Sequence, residues 1–125
     1  MRKRPVNLNL LTLHFPIPAI VSILHRLSGV FIFLLIPFLL WGLQESLVSS
    51  ARFELLKVTL NRPWIQCGLW VFLLALSYHL LAGIRHLLMD IHLGDSLRAG
   101  RLSAGIVLAL GVMAAVVGGF WVWWK

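Results

Sequence analysis

The chain has 125 residues, of which 60% are hydrophobic and only 12% are charged, and its mean hydropathy is +0.92. Because soluble domains are about half apolar and about a quarter charged, this composition argues against a soluble fold and excludes disorder or a collagen-like fibre. Eleven Lys and Arg against four Asp and Glu give a net charge of +7, which is expected at membrane surfaces rather than on nucleic acid. The single cysteine, Cys67, excludes an intramolecular disulfide and a cysteine-ligated zinc or iron-sulfur site.

Three apolar stretches are long enough to span a membrane, since a helix needs about 20 residues to cross ~30 Å of hydrocarbon. They predict an all-α integral membrane protein with one membrane-anchor domain over residues 1–125. We expect helix I over about 20–43, helix II over about 63–86 and helix III over about 102–124. Pro16 and Pro18 fit a start just before helix I. The basic residues 1–4 precede a polar stretch, so we expect no signal peptide.

The distribution of positive residues predicts an orientation with the N-terminus in the cytoplasm, where Lys and Arg near helix ends are retained. Four positive residues would then lie outside, namely Arg52, Lys57, Arg62 and Lys125. Seven would lie inside, namely Arg2, Lys3, Arg4, Arg26, Arg85, Arg98 and Arg101. Tryptophans that anchor at the interface cluster at the outer helix ends, and polar chemistry therefore gathers on the inner side.

Helix III carries small residues at four-residue spacing, Gly111, Ala115 and Gly119. Such a ridge lets a second helix approach closely. We interpret it as a packing surface.

His79 lies inside helix II, about four turns from Pro63. An ionisable side chain there is costly unless it faces a partner or a cofactor, and a neutral imidazole is a good haem-iron ligand. Gly83, one turn further on the same face, leaves room for a flat macrocycle, and Arg85 and His86 are placed to meet its carboxylates. The alternative is that His79 only hydrogen-bonds to a neighbouring helix.

At the start of helix I, Ser22, His25 and Arg26 share one surface at spacings of three and four residues. A hydroxyl, an imidazole and a guanidinium supply the hydrogen-bond donors and the proton source that a quinone headgroup needs on reduction. The alternative is that Arg26 extends to lipid headgroups and that Ser22 is a helix-start residue.

Two motifs resemble the cytochrome b membrane-anchor subunits of succinate dehydrogenase, in particular the larger, C-type anchor. The first comprises Arg4-Pro5-Val6, Leu10 and the run SILHRLS at residues 22–28. The second comprises His79 and the run GIRHLLMD at residues 83–90. One departure is His92, where the family usually has a small residue.

The resemblance implies that three helices form half of a haem-binding bundle whose other half is a second anchor subunit. It implies that His79 is this chain's axial ligand to a b-type haem, and that the partner anchor supplies the opposite histidine. It further implies that Ser22 and Arg26 bind ubiquinone and that four residues lie near the haem propionates, namely His25, Arg26, Arg85 and His86.

The resemblance also implies an electron-transport role in the bacterial inner membrane. The chain lacks a flavin fingerprint and a cysteine set, so a flavoprotein and an iron-sulfur subunit would oxidise succinate and deliver the electrons. The chain alone is not expected to be active. Two alternatives stay open at this point: a fumarate reductase anchor, and a small helical membrane protein without redox function, such as an assembly factor or a pore former.

Overall fold

A computed structural model describes residues 15–124. It contains α1 (Ile17–Val48), α2 (Ser50–Leu60), α3 (Pro63–Asp90) and α4 (Leu97–Trp123), and this part of the chain has no strand. The long helices α1, α3 and α4 are each apolar enough to cross a membrane, which confirms the prediction of an all-α integral membrane fold with three spans. The motif residues Arg4, Pro5, Val6 and Leu10 lie outside the described residues, as do four of the positive residues, Arg2, Lys3, Arg4 and Lys125.

All three spans are longer than the hydropathy pattern predicted. The 32 residues of α1 correspond to about 48 Å, so this helix extends beyond ~30 Å of hydrocarbon. It begins after Pro16, and Pro18 stands in its first turn, where a proline removes no intrahelical hydrogen bond. Pro37 lies within α1, which continues through it as one helix.

The short helix α2 was not predicted from the sequence. Its N-cap is Ser49, whose Oγ accepts a hydrogen bond of 3.2 Å from the backbone N–H of Arg52. Arg52 also pairs with Glu45 of α1 at 3.1 Å. The helix is weakly apolar and none of its residues is buried, which is why hydropathy did not reveal it.

Helix α4 begins at Leu97, five residues before the predicted start. The Ser96 hydroxyl caps it by accepting a hydrogen bond of 3.3 Å from the backbone N–H of Ala99. Consequently Arg98 and Arg101 belong to the first turns of a helix rather than to a loop.

Helix α3 packs against both other spans and forms the centre of the molecule. The Tyr78 hydroxyl donates a hydrogen bond of 3.0 Å to the backbone carbonyl of Val21, tying α3 to α1. Towards α4, the side chain of Tyr78 lies against Gly111, where a Cβ would stand 3.1 Å from Cδ2. The core at these contacts comprises Val21, Tyr78, Ala82, Ala104 and Val107.

The small-residue ridge of α4 contacts α3, which confirms its interpretation as a packing surface. The indole Nε1 of Trp70 donates a hydrogen bond of 2.8 Å to the backbone carbonyl of Ala115. A Cβ at Gly119 would stand 3.2 Å from the same nitrogen. Large side chains on α3 thus fill the space that the small residues of α4 leave open.

Candidate functional site

Three imidazoles meet where α1 crosses α3. His79 and His86 lie on one face of α3, seven residues apart, and His25 comes from α1. The ring centroids of His25 and His79 are 4.2 Å apart, with the rings stacked at 18°. The centroids of His25 and His86 are 5.2 Å apart, with the rings tilted at 46°. His25 therefore lies between the two histidines of α3.

One nitrogen of His79 is held by α1. Its Nδ1 lies 3.1 Å from the backbone carbonyl oxygen of His25 and 3.1 Å from Ser28 Oγ. The Ser28 hydroxyl itself donates to the same His25 carbonyl, at 2.8 Å. A carbonyl oxygen only accepts, so all three contacts are favourable when Nδ1 carries the proton and donates it to both oxygens.

This assignment leaves the lone pair of His79 on Nε2. Within residues 15–124 that nitrogen makes no hydrogen bond. The stacked His25 ring covers a face of the imidazole, whereas a metal binds in the plane of the ring. A metal-ligating histidine typically donates its other N–H to a carbonyl or similar acceptor, so the geometry of His79 fits an axial haem ligand.

Two glycines line the histidine cluster, and only one was noted in the sequence. A Cβ at Gly83 would stand 3.4 Å from His25 Nε2, so an imidazole occupies the space that we expected to admit a flat macrocycle. A Cβ at Gly29 would stand only 2.9 Å from His79 Cε1. Gly29 thus permits the close approach of His79 to α1, a role that only the crossing of the two helices reveals.

Arg85 is buried, with 5% of its surface exposed, and it turns towards α4. Its Nε donates to Ser103 Oγ at 3.0 Å and its Nη2 donates to the Gly100 carbonyl at 3.1 Å. The guanidinium therefore joins α3 to the first turns of α4. The structure does not bring Arg85 into hydrogen-bond contact with the histidines.

Ser22 and Arg26 share a face of α1, beside the face on which Val21 and His25 meet α3. Ser22 is half-buried and Arg26 is exposed. Among the described residues neither side chain has a hydrogen-bond partner. A ligand held by this pair would need further walls from outside the described chain.

The positive residues near the inner helix ends are not neutralised by acids within residues 15–124. The described residues form three ion pairs: Arg52 with Glu45, Lys57 with Glu54, and His92 with Asp95. The first two lie at the end that we predict to be outer, and the third is in the α3–α4 connection. Arg26 and Arg85 take part in none of them, but only Arg26 is exposed, so only its charge is open to anionic groups of another molecule.

Comparison with known proteins identifies the family of this chain. Residues 1–118 match the family model of the succinate dehydrogenase/fumarate reductase transmembrane subunit. The chain belongs to this family. The match confirms the resemblance drawn from the two motifs and covers all three spans except the last residues of α4.

Three curated relatives carry the name succinate dehydrogenase cytochrome b556 subunit. The chain is 43% identical to the protein from Coxiella burnetii, over 97% of this chain and 98% of that one. It is 32% identical to the protein from Rickettsia typhi, over 92% and 90% of the two chains. It is 31% identical to the protein from Paracoccus denitrificans, over 91% and 88%.

Proposed function

We propose that this chain is the cytochrome b membrane-anchor subunit of a succinate:quinone oxidoreductase, that it binds a b-type haem with a second anchor subunit, and that it contributes to the site of ubiquinone reduction. The observation that carries the proposal is the hydrogen bonding of the two ring nitrogens of His79, in a chain that belongs to this family. Its Nδ1 is held by two oxygens of α1, and its Nε2 is left for a metal.

His79 would hold the haem iron through Nε2, and the bound haem would supply a one-electron carrier within the membrane. Among the described residues, neither histidine next to His79 is placed to supply a second ligand. His86 is on the same helix as His79, and His25 stacks on a face of the His79 ring. We assign that ligand to a histidine of the partner anchor.

Four side chains near the inner end are proposed to face the haem propionates: His25, Arg26, Arg85 and His86. Arg26 and Arg85 lack an acidic partner in the described part of the chain, and the rings of His25 and His86 contact each other at a centroid distance of 5.2 Å. Charge-assisted hydrogen bonds to carboxylates are stronger than neutral ones, which suits these residue types. Arg85 already uses two of its nitrogens on α4, so a propionate would meet the remaining donors.

Ser22 and Arg26 are proposed as this chain's part of the ubiquinone pocket. The Ser22 hydroxyl would donate a hydrogen bond to one carbonyl oxygen of the quinone, and Arg26 would stabilise the negative charge that develops as electrons arrive. Both side chains lie one turn apart on α1, and neither has a hydrogen-bond partner among the described residues. We therefore assign the remaining walls of the pocket to partner subunits.

The chain contributes no flavin site or iron-sulfur ligands, so we assign succinate oxidation and electron delivery to a flavoprotein and an iron-sulfur subunit. The location proposed is the bacterial inner membrane, with the N-terminus and the α3–α4 connection in the cytoplasm. The succinate dehydrogenase names of the relatives favour succinate oxidation over fumarate reduction.

The proposal is tested by purifying the complex through an affinity tag on this chain. We expect flavin, iron-sulfur clusters and haem to co-purify, and succinate to reduce ubiquinone. Comparison of the succinate:ubiquinone and quinol:fumarate rates separates a succinate dehydrogenase from a fumarate reductase. A tagged chain that purifies alone, without haem and without succinate-dependent quinone reduction, would contradict the proposal.

A further inference from the structure

Ser28 lies at the contact between α1 and His79, and the proposed function assigns it no role of its own. We propose that Ser28 is a positioning residue for the haem ligand: its hydroxyl, together with the His25 carbonyl, fixes the proton of His79 on Nδ1 and sets the direction in which Nε2 points. This inference rests on the proposed role of His79 as an axial ligand.

The three hydrogen bonds around Ser28 form a closed set. Ser28 Oγ donates to the His25 carbonyl at 2.8 Å, and the His79 Nδ1 proton is shared between that carbonyl and Oγ. Many helical serines donate only to the carbonyl three residues earlier, whereas Ser28 Oγ also contacts His79 Nδ1. Because Oγ accepts while it donates, it gives the His79 N–H a second acceptor and restricts rotation of the ring.

Packing supports the same restriction from two further sides. The stacked His25 ring covers a face of the His79 imidazole at a centroid distance of 4.2 Å. The edge of the imidazole at Cε1 faces Gly29, where a Cβ would come within 2.9 Å. His79 is thus enclosed by three residues of α1: His25 through its ring and its carbonyl, Ser28 through its hydroxyl, and Gly29 through its bare Cα.

The hydrogen bonds at Nδ1 have a measurable consequence for a metal at Nε2. Donation of the Nδ1 proton increases electron density on the imidazole and makes it a stronger donor to the iron. A stronger donor stabilises the ferric state more than the ferrous state. Loss of the Ser28 acceptor should therefore raise the haem midpoint potential and, by freeing the ring to rotate, shift the g-values of the low-spin ferric haem.

The experiment compares Ser28→Ala and Ser28→Thr in the purified, assembled complex. A matched control is Ser46→Ala, because Ser46 Oγ makes the same kind of bond to a carbonyl three residues earlier in the same helix, at 2.6 Å, without touching His79. The readouts are the haem midpoint potential by redox titration and the electron paramagnetic resonance spectrum of the oxidised complex. Ser28→Cys, which keeps a similar size and weakens the hydrogen bond, replaces Ser28→Ala if that variant does not assemble.

We expect an upward shift of the potential and altered g-values in Ser28→Ala or Ser28→Cys, with parental values in Ser28→Thr and Ser46→Ala. Loss of haem from Ser28→Ala with retention in Ser28→Thr supports the same conclusion. Parental values in Ser28→Ala, or equal shifts in Ser28→Ala and Ser28→Thr, would overturn the positioning role. Failure of the underlying proposal is distinguishable, because His79→Ala would then leave the haem spectrum unchanged as well.

Discussion

Three chemically identical imidazoles at the crossing of α1 and α3 have different surroundings. His79 has one nitrogen bound by α1 and one that makes no hydrogen bond within the described residues, which is the state of a metal ligand. His25 stacks on His79, and His86 lies beyond His25 towards the inner end of α3. The proposed role of His25 and His86 near the haem propionates rests on these positions.

The candidate site was only partly predictable from the sequence. The depth of His79 and its shared face with His86 follow from helical spacing, because both residues belong to one element. The contacts of His79 with Ser28, Gly29 and His25 depend on where α1 crosses α3, and no local pattern encodes that crossing. Gly83 illustrates the limit: its missing side chain was noted, yet the space beside it holds His25.

The quinone pocket is tested at Ser22 and Arg26. Loss of a neutral hydrogen-bond donor should cost about 0.5 to 1.5 kcal/mol, and loss of a charged donor about 1.5 to 3 kcal/mol. Arg26→Leu should therefore reduce succinate:ubiquinone reductase activity more than Ser22→Ala does. Steady-state rates and apparent ubiquinone affinities of the assembled complexes measure both effects.

Two controls accompany these variants. Succinate oxidation with an artificial acceptor should be unchanged, because we assign the flavin and iron-sulfur chemistry to other chains. Arg101→Leu removes another exposed positive residue near the predicted inner surface and should leave quinone reduction at the parental rate. If the Ser22 and Arg26 variants also reduce ubiquinone at the parental rate and affinity, the pocket lies elsewhere.

At the scale of elements, the three spans were predictable because about 20 consecutive apolar residues have few alternatives to a membrane helix. The ends of the helices were less predictable than the spans themselves. Ser49 and Ser96 each cap a helix that hydropathy did not predict at that point, and these caps produce α2 and the early start of α4. Capping is a signal of one or two residues, so a search for apolar runs overlooks it.

Because α3 and α4 pack closely along their seam, we predict that a larger side chain at Gly111 destabilises the protein. Gly111→Leu would place a side chain where even a Cβ stands 3.1 Å from Tyr78, and overpacking of this kind typically costs about 1 to 3 kcal/mol. Gly105→Leu is the matched control, since no described atom beyond its chain neighbours and its own helix backbone lies within 4 Å of its Cβ position. Thermal denaturation of the purified complex should show a lower midpoint for Gly111→Leu than for Gly105→Leu. Equal midpoints would show that the seam is not tightly packed.

Few side chains are buried within residues 15–124. Many large apolar side chains are exposed along all three spans, for example Phe33, Phe38, Leu80 and Val116. A membrane and partner helices account for such a surface, since lipid tails cover apolar side chains without a folding cost. The chain is therefore best understood as one part of a larger membrane assembly, as its family implies.

The distribution of positive residues predicts the orientation of this assembly. An inside N-terminus places Arg98 and Arg101 in the cytoplasm and Arg52, Lys57 and Arg62 outside. A reporter that is active only in the periplasm should work when it is fused after Asn61 and should be inactive after Asp95. The opposite pattern, with cytoplasmic reporter activity after Asn61, would reverse the orientation and move the histidine cluster to the outer half of the membrane.

The central claim is that His79 ligates a b-type haem, and a reduced-minus-oxidised optical spectrum of the purified His79→Ala complex tests it most directly. The control is His92→Asn. His92 is exposed and has a positive φ, and asparagine tolerates this backbone conformation. We expect the parental complex and His92→Asn to show the same low-spin haem spectrum, and His79→Ala to lose the haem or to change its spin state or potential. An assembled His79→Ala complex with an unchanged low-spin spectrum and potential would contradict the claim.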